Sequence, residues 1–238
     1  MYKNYIFDFY GTLANIKANE NNPFIWEKLS IFYNYNNAIY TSNELFENYN
    51  LIFNKYKNLY CHIDFPDFPI ENIFKELYLI KNINPSDDLV INTSLLYRSL
   101  VIEEVYLYHG VKELLSTLKE KNKNIYLLSN AQKLFTYKEI EFLGISHFFN
   151  NFLFSSEENT CKPSIDFFNK LITTYSLDVN KTIMIGNDYF ADIKPANKLK
   201  IDTLYIHSNL SPSTYIKGSS TFEVLNGNVN DIKNLIIK

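Results

Sequence analysis

Four short polar segments carry the side chains best suited to chemistry, and each is predicted to follow a strand of a parallel sheet. In open α/β sheets, ligands bind in the crevice at the carboxyl ends of the strands. The third segment follows its strand after a short loop. We therefore expect all four to converge on one crevice: Asp8-Phe9-Tyr10-Gly11-Thr12, Ser129-Asn130, Cys161-Lys162-Pro163, and Gly186-Asn187-Asp188 with Asp192.

Covalent catalysis by a carboxylate explains this set of residues. Asp8 can attack an electrophile and form an aspartyl intermediate, which water then cleaves. If the electrophile is a phosphoryl group, its charge must be neutralised by a cation and by hydrogen-bond donors. Mg²⁺ prefers oxygen ligands and usually takes only one or two protein carboxylates, which Asp8 and Asp188 could supply.

The remaining polar residues have complementary roles in such a site. Thr12, Ser129 and the neighbouring amides offer hydrogen bonds to phosphoryl oxygens. Lys162 adds a positive charge that could hold both the nucleophile and the substrate anion. Asp192 could orient Lys162 or a metal-bound water.

Each segment also has a simpler explanation. Asp8 could cap backbone amides of its turn, and Ser129-Asn130 after a strand is usually a helix N-cap. Lys162 could be a solvated lysine, while Asp188 and Asp192 could be a cap and an exposed acid of a first helical turn. Individually none of the segments is specific, and the hypothesis rests on their order at successive strand ends.

The elements that must position these residues alternate between buried strands and helices. This alternation is typical of an α/β fold, with a parallel sheet covered on both faces. Pro163 is expected to open its helix and Gly144 to end the preceding one. The predicted strands are 2–7, 124–129, 151–155, 182–186 and 203–207, and the predicted helices are 111–121, 131–142, 163–175, 191–200 and 229–238.

Residues 15–104 interrupt this alternation. They contain apolar residues at helical spacing and no evident strand pattern. We interpret them as an α-helical cap inserted between the first and second strands of a core made of 1–14 and 105–238. The four predicted cap helices are 23–34, 42–60, 68–81 and 86–104.

Composition excludes several function classes for the 238-residue chain. Its net charge of −3 gives no electrostatic case for binding nucleic acid or a membrane surface. No apolar run approaches the roughly 18 residues that a membrane-spanning helix needs. The two cysteines, Cys61 and Cys161, form no disulfide framework or metal spacing, so we expect a protein of the reducing cytoplasm. Neither the substrate nor the oligomeric state follows from the sequence.

With these motifs the chain resembles the haloacid dehalogenase-like hydrolase superfamily. The resemblance rests on Asp8-x-x-Gly11-Thr12-Leu13, Ser129-Asn130, Lys162-Pro163 and Gly186-Asn187-Asp188-x-x-x-Asp192. It implies a Rossmann-like core, a mobile cap over the site, Mg²⁺ as cofactor and a small phosphate monoester as substrate.

The resemblance also suggests a role for each residue of the site. Asp8, Lys162, Thr12 and Ser129 would be catalytic. The metal ligands would come from Asp8, the backbone carbonyl of Tyr10, Asp188 and Asp192. The substrate would contact Tyr10, Gly11, Asn130 and Arg98.

The first motif departs from the phosphatase pattern at Tyr10. The family's phosphatases usually carry an aspartate there as the acid and base for the leaving group, a role typically worth ~10²–10⁴-fold in rate. A tyrosine resembles the dehalogenases, whose halide leaving group needs no proton. However, their cap carries an early arginine that 15–97 lacks, and their fourth motif lacks the acidic pair Asp188 and Asp192. We therefore expect a phosphatase, one whose turnover the missing acid could slow, and keep a metal-independent 2-haloacid dehalogenase or a non-catalytic binding protein as alternatives.

Arg98 is the only arginine of the chain. It lies where the last predicted cap helix returns to the core. It could form an ion pair at the surface or hinge, or it could reach the cleft and grip an anionic substrate with its guanidinium fork.

Overall fold

The computed structural model describes residues 1–237, which contain eight strands and ten α-helices. The strands are β1 (Asn4–Phe7), β2 (Ala14–Ala18), β3 (Ile102–Leu107), β4 (Asn124–Ser129), β5 (Asn151–Phe154), β6 (Thr182–Gly186), β7 (Asp202–Ile206) and β8 (Phe222–Val224). The helices are α1 (Phe24–Tyr35), α2 (Ser42–Leu59), α3 (Glu71–Ile80), α4 (Asp87–Val101), α5 (Val111–Glu120), α6 (Lys133–Phe142), α7 (Ser155–Glu158), α8 (Ile165–Thr174), α9 (Lys194–Lys198) and α10 (Val229–Ile236).

The main sheet confirms the predicted α/β, Rossmann-like fold. Its six strands run parallel in the order β5-β4-β1-β6-β7-β8. The short edge strand β8 was not predicted, because three residues that end in a turn carry too little pattern. The central strand β1 pairs with β4 on one side and β6 on the other, so the residues that follow these three strands are neighbours.

Both faces of the sheet are covered, as continuous apolar strands require. Tyr5 and Phe7 of β1 join a core with α5 and α10, whereas Ile6 between them joins a second core with α8. All three side chains are fully buried. Helices on both faces therefore hold β1 rigidly, which fixes the position of Asp8 at its end.

The expectation that 15–104 is entirely helical is wrong at both ends. β2 and β3 pair antiparallel in a separate two-stranded ribbon, and α4 stops at Val101 rather than at residue 104. The ribbon's outer side chains are exposed, and Lys17 forms an ion pair with Glu103 across it at 2.7 Å. A ribbon that faces water on much of its surface shows no clear alternation of apolar residues, so its pattern was missed.

Between the ribbon strands, helices α1 to α4 form a helical insert with its own hydrophobic core. Tyr33 and Phe74 are fully buried there, and Phe135 of α6 joins the same cluster from the main domain. The four insert helices lie within a few residues of their predicted positions.

Two element boundaries near the site differ from the prediction. The helix predicted to open at Pro163 begins at Ile165. The helix predicted at 191–200 is a π-helical turn over Tyr189–Ile193 followed by the short α9. Within the described residues 1–237, no helix has both the length and the apolar character needed to cross a bilayer.

Candidate active site

The four predicted segments converge on a cleft of about 180 Å³ at the carboxyl edge of the sheet. Asp8 follows the central strand, and the flanking strands bring the second and fourth segments to either side. Residues of the main domain line the cleft: Asp8, Tyr10, Ser129, Asn130, Lys162, Asn187, Asp188, Ala191, Asp192, Leu210 and Pro212.

Lys162 lies between two carboxylates at the base of the cleft. Its Nζ donates to Asp8 Oδ1 at 2.6 Å and to Asp192 Oδ1 at 2.7 Å. Burial alone would lower the pKa of this ammonium, but Asp192 and Asp8 outweigh it and raise the pKa above its ordinary value. The lysine therefore stays charged, which excludes the interpretation of Lys162 as a solvated surface residue.

Asp192 uses both of its oxygens within the protein. Oδ1 accepts from Lys162, and Oδ2 accepts from the backbone N–H of Asp188 at 3.1 Å. Burial raises the pKa of this carboxyl, whereas the Lys162 charge lowers it. Of the two roles expected for Asp192, these contacts favour orientation of Lys162 over direct metal binding.

Local backbone geometry explains how Asp192 reaches Lys162. It lies in the π-helical turn that precedes α9, an irregularity that often occurs at functional sites. Gly186, the last residue of β6, lies directly beneath it. A Cβ on Gly186 would come within 2.2 Å of Asp192 Oδ2, so only glycine leaves room for the carboxylate.

Asn130 holds the backbone of the lysine segment. Its side-chain amide donates to the Lys162 carbonyl at 2.8 Å, and its oxygen accepts from the Lys162 N–H at 2.7 Å. The N-cap interpretation of Ser129-Asn130 is wrong, because α6 begins at Lys133 and its N-cap position is Gln132. Asn130, which the resemblance assigned to substrate binding, therefore positions Lys162 as well as lining the cleft.

Thr12 and Gly11 complete the loop after Asp8. The Thr12 hydroxyl lies 3.2 Å from Asp8 Oδ2 and 3.3 Å from Asn187 Oδ1. Gly11 has φ +84°, and a Cβ there would come within 2.3 Å of the Asn187 amide. Asn187 belongs to the fourth motif, but its contact with the first-motif loop was not predicted.

Asp188 is a helix cap and also lines the cleft. Its Oδ1 accepts from the N–H groups of Phe190 and Ala191 at 2.7 and 3.1 Å, which confirms the capping role expected for it. Its carboxylate nevertheless shares the cleft with Asp8.

These donors suit one kind of metal site. Among residues 1–237, no group of three or more His, Cys, Asp or Glu side chains is arranged to hold a metal ion. The available donors are two carboxylates, Asp8 and Asp188, together with backbone carbonyls and water. Mg²⁺ is usually bound in this way, through one or two carboxylates and several waters.

Tyr10 points its hydroxyl at residues of α6 and α4. The hydroxyl donates to Glu139, lies 3.1 Å from Thr136 Oγ1 and accepts from Arg98 Nη2 at 3.1 Å. Burial and the Glu139 charge raise the pKa of the phenol, although Arg98 lowers it. Tyr10 is therefore a neutral group whose only hydroxyl proton is engaged in the hydrogen bond to Glu139.

Arg98 joins the helical insert to the main domain. Its Nε donates to Glu139 Oε1 at 2.7 Å, and its guanidinium lies over the Phe135 ring. Arg98 does not line the cleft. The interpretation of Arg98 as an ion-pair partner is therefore favoured over binding of an anionic substrate. Glu139 was missed, although a glutamate on the buried face of α6, beside Phe135 and Thr136, is a usable signal.

The last unpredicted residues are Leu210 and Pro212. They lie in the connection between β7 and β8 and line the cleft. The side chains that line the cleft come from the main domain, not from the helical insert. The sequence offered little signal, because a single Leu and Pro in a polar loop are common.

Comparison with known proteins bears on the family and the fold of the chain. The family model described as haloacid dehalogenase-like hydrolase matches residues 30–206, a span that begins after Asp8. Ribulose-1,5-bisphosphate 5-phosphatase of Halopiger xanaduensis is 28% identical over 120 residues, 50% of this chain and 49% of the relative. Pyrimidine 5′-nucleotidase PynA of Streptococcus pneumoniae is 26% identical over 131 residues, 54% of each chain. The chain thus spans about half the length of these relatives.

Solved structures share the fold along nearly the whole chain. The putative HAD-hydrolase YfnB from Bacillus subtilis, bound to magnesium, superposes with a TM-score of 0.56 at 18% identity and 98% coverage of both chains. A dehalogenase superposes with a TM-score of 0.61 at 15% identity, covering 100% of this chain and 98% of its own. Since the family model spans well over half of the sequence, the chain belongs to the haloacid dehalogenase-like hydrolases.

Proposed function

We propose that this hydrolase is a Mg²⁺-dependent phosphatase that removes phosphate from a small phosphorylated metabolite, with Asp8 as the nucleophile. The observation that carries the proposal is the shared cleft of Asp8 and Asp188, with the Lys162 ammonium 2.6 Å from the nucleophile. Similarity to relatives named as phosphatases supports the same reaction class.

The two oxygens of Asp8 are not equivalent. Oδ1 accepts a short charged hydrogen bond from Lys162, which reduces its electron density. Oδ2 has the longer contact with the neutral Thr12 hydroxyl. Oδ2 is therefore the better-placed oxygen for attack on phosphorus, while Lys162 fixes the orientation of the carboxylate.

Charge balance explains the need for a cation. Asp8, Asp188 and Asp192 face a single ammonium, and a phosphate dianion would add to the excess negative charge. Mg²⁺, when bound by Asp8, Asp188 and the Tyr10 carbonyl, would neutralise phosphoryl charge. Hydrogen bonds from the loop around Thr12 and from Ser129 would orient the phosphoryl oxygens.

Protonation of the leaving group is the weak step. The Tyr10 hydroxyl donates its proton to Glu139, and its raised pKa makes it a poor acid. Without a general acid, the leaving oxygen must depart as an anion or take its proton from water. The proposal therefore includes slow turnover and a preference for good leaving groups.

A metal-independent 2-haloacid dehalogenase remains the second candidate, because Tyr10 matches the first motif of that group. A halide leaving group needs no proton, so a Tyr10 hydroxyl already hydrogen-bonded to Glu139 would not slow the reaction. Against this, Asp188 would have no evident role in carbon–halogen cleavage, and Arg98 is engaged by Glu139 and Tyr10.

A panel assay separates these functions. Aryl phosphates, alkyl phosphates and 2-haloacids should each be tested with Mg²⁺ and with a chelator. Phosphate release that requires Mg²⁺, with a phosphoryl group trapped on Asp8, is the expected result. Halide release in the presence of the chelator would favour the dehalogenase, and turnover of no substrate would favour a binding role.

A further inference from the structure

We propose that the cleft selects phosphate monoesters whose organic part carries no second anion, an inference that rests on the proposed phosphatase function. A second carboxylate or phosphate on a substrate needs a cationic partner, normally Arg or Lys. Among residues 1–237, the lining of the cleft contains three carboxylates, those of Asp8, Asp188 and Asp192, and one cation, Lys162.

Lys162 is not free to serve a distant anion. Its Nζ contacts two carboxylates at 2.6 and 2.7 Å, and its side chain is 2% exposed. The ammonium is thus committed to the inner end of the cleft, where the phosphoryl group must lie to meet Asp8. The organic part of the substrate extends away from this lysine.

Other basic side chains are also unsuited to the task. Arg98 donates to Glu139 and to Tyr10 and does not itself line the cleft. Lys217, on the same connection as Leu210, is exposed and does not line the cleft. The neighbouring hollow beside Gly11 is lined by His207, Ser208 and Asn209 and by no Lys or Arg.

The outer end of the cleft suits a small, uncharged group. The half-buried Leu210 and the exposed Pro212 contribute apolar surface to the lining. The volume of about 180 Å³ is below the ~300–1,000 Å³ of pockets that bind drug-sized ligands. A second anion would lose hydration and find no cationic partner in this lining, while a neutral or cationic group needs no such partner.

Binding of matched phosphonates tests this inference without turnover. Propylphosphonate, 3-aminopropylphosphonate and 3-phosphonopropionate have similar size and differ in the charge of the far group. Titration calorimetry of the Mg²⁺-loaded wild type should show the carboxylate binding roughly tenfold or more weakly than the alkyl compound, because the carboxylate loses hydration without gaining a cationic partner. Equal or tighter binding of 3-phosphonopropionate would overturn the proposal.

A charge introduced at Leu210 gives the matched test. Leu210→Lys should raise the affinity for 3-phosphonopropionate relative to propylphosphonate by about tenfold, as expected for one new ion pair in a confined cleft. Leu210→Gln, polar but neutral, should leave that ratio unchanged. Leu210 is only half-buried, so both variants should fold. An unchanged ratio in the lysine variant would show that Leu210 does not face the organic part.

Hydrolysis of propyl phosphate and of an aryl phosphate distinguishes failure of the phosphatase function from failure of the charge selection. If both esters resist hydrolysis while the phosphonate order holds, the phosphatase function fails and the charge selection stands. If the esters are hydrolysed while 3-phosphonopropionate binds as well as propylphosphonate, the charge selection alone fails.

Discussion

Arg98 Nε donates to Glu139 Oε1 at 2.7 Å, and this ion pair joins α4 of the helical insert to α6 of the main domain. Glu139 and Arg98 both contact the hydroxyl of Tyr10, two residues after Asp8. The insert is thereby linked to the loop that carries Asp8 directly by the Arg98–Tyr10 hydrogen bond and indirectly through Glu139. A mobile cap, as the family resemblance implies, would have to break these contacts to open.

This ion pair should contribute measurably to stability. The side chains are 17% and 10% exposed, so we expect Glu139→Gln to cost about 1–3 kcal/mol because Arg98 loses its charged partner. A double-mutant cycle with Arg98→Met, followed by urea unfolding, should give a coupling within roughly 0.5–3 kcal/mol. The pair Lys133–Glu157, 52% and 42% exposed, is the matched control, with a coupling below about 1 kcal/mol. Equal couplings would contradict the structural role of the pair.

Asp8→Asn should abolish phosphate release, since a neutral amide cannot attack phosphorus as a carboxylate does. The change is nearly isosteric, so circular dichroism should show an intact fold. Asp166→Asn, at an exposed position of α8, is the control and should retain wild-type turnover. Substantial residual activity in a folded Asp8→Asn protein would remove the covalent mechanism.

Gly186→Ala tests the packing beneath Asp192 without altering any charge. The new Cβ would lie 2.2 Å from Asp192 Oδ2, so the carboxylate must move and loosen its contact with Lys162. We expect turnover to fall by more than roughly tenfold, because sub-ångström misplacement of catalytic groups is costly. Gly218→Ala meets no atom within 4 Å and serves as the control, although its φ of +77° adds some strain. Equal kcat values for the two variants would refute the argument.

Three of the four site motifs were predictable because each lies at the end of a largely buried strand, whereas the lysine motif follows its strand only after α7. Strands such as Thr182–Gly186 read as continuous apolar runs, and parallel strands bring their carboxyl ends to one edge. The ribbon of β2 and β3 was not predictable in this way. The two strands of the ribbon are about 90 positions apart in the sequence, and exposed strands show weak apolar alternation.

The network around Tyr10 shows a second limit of sequence reasoning. The departure of Tyr10 from the phosphatase pattern was visible, but its partners come from two distant helices, α4 and α6. Glu139 belongs to no motif, and its role depends on packing that brings α6 against the insert. The cleft residues Leu210 and Pro212 were missed for the same reason, because loop side chains acquire meaning only from the fold.

Asp188→Asn should weaken Mg²⁺ binding strongly, because a neutral amide replaces one of the two carboxylates offered to the ion. The expected result is a rise of roughly tenfold or more in the Mg²⁺ concentration needed for half-maximal activity. A crystal grown with Mg²⁺ should place the ion at roughly 2.0–2.1 Å from oxygens of Asp8 and Asp188. Asp166→Asn again serves as the control, and an unchanged Mg²⁺ requirement would count against Asp188 as a ligand.

Tyr10 should make the rate depend steeply on the leaving group. Its hydroxyl already donates to Glu139, and burial together with that carboxylate raises its pKa. Aryl and acyl phosphates, whose leaving groups need no proton, should therefore be cleaved far faster than alkyl phosphates. Tyr10→Phe, which removes only the hydroxyl, should leave the leaving-group dependence unchanged if the phenol takes no part in proton transfer.

Tyr10→Asp is the variant that decides how Tyr10 is interpreted. A carboxylic acid at this position should speed alkyl phosphates most, by up to ~10²-fold, and flatten the dependence of rate on leaving-group pKa. The gain should be measured as the ratio of kcat on alkyl esters to kcat on an aryl ester. Loss of the contacts to Glu139 and Arg98 lowers the stability of the variant and affects both rates alike, so the ratio isolates the proton transfer. A dehalogenase would show no phosphatase gain and would release halide without metal. If the wild type hydrolyses alkyl and aryl phosphates equally well, another group supplies the proton, and the role assigned to Tyr10 is wrong.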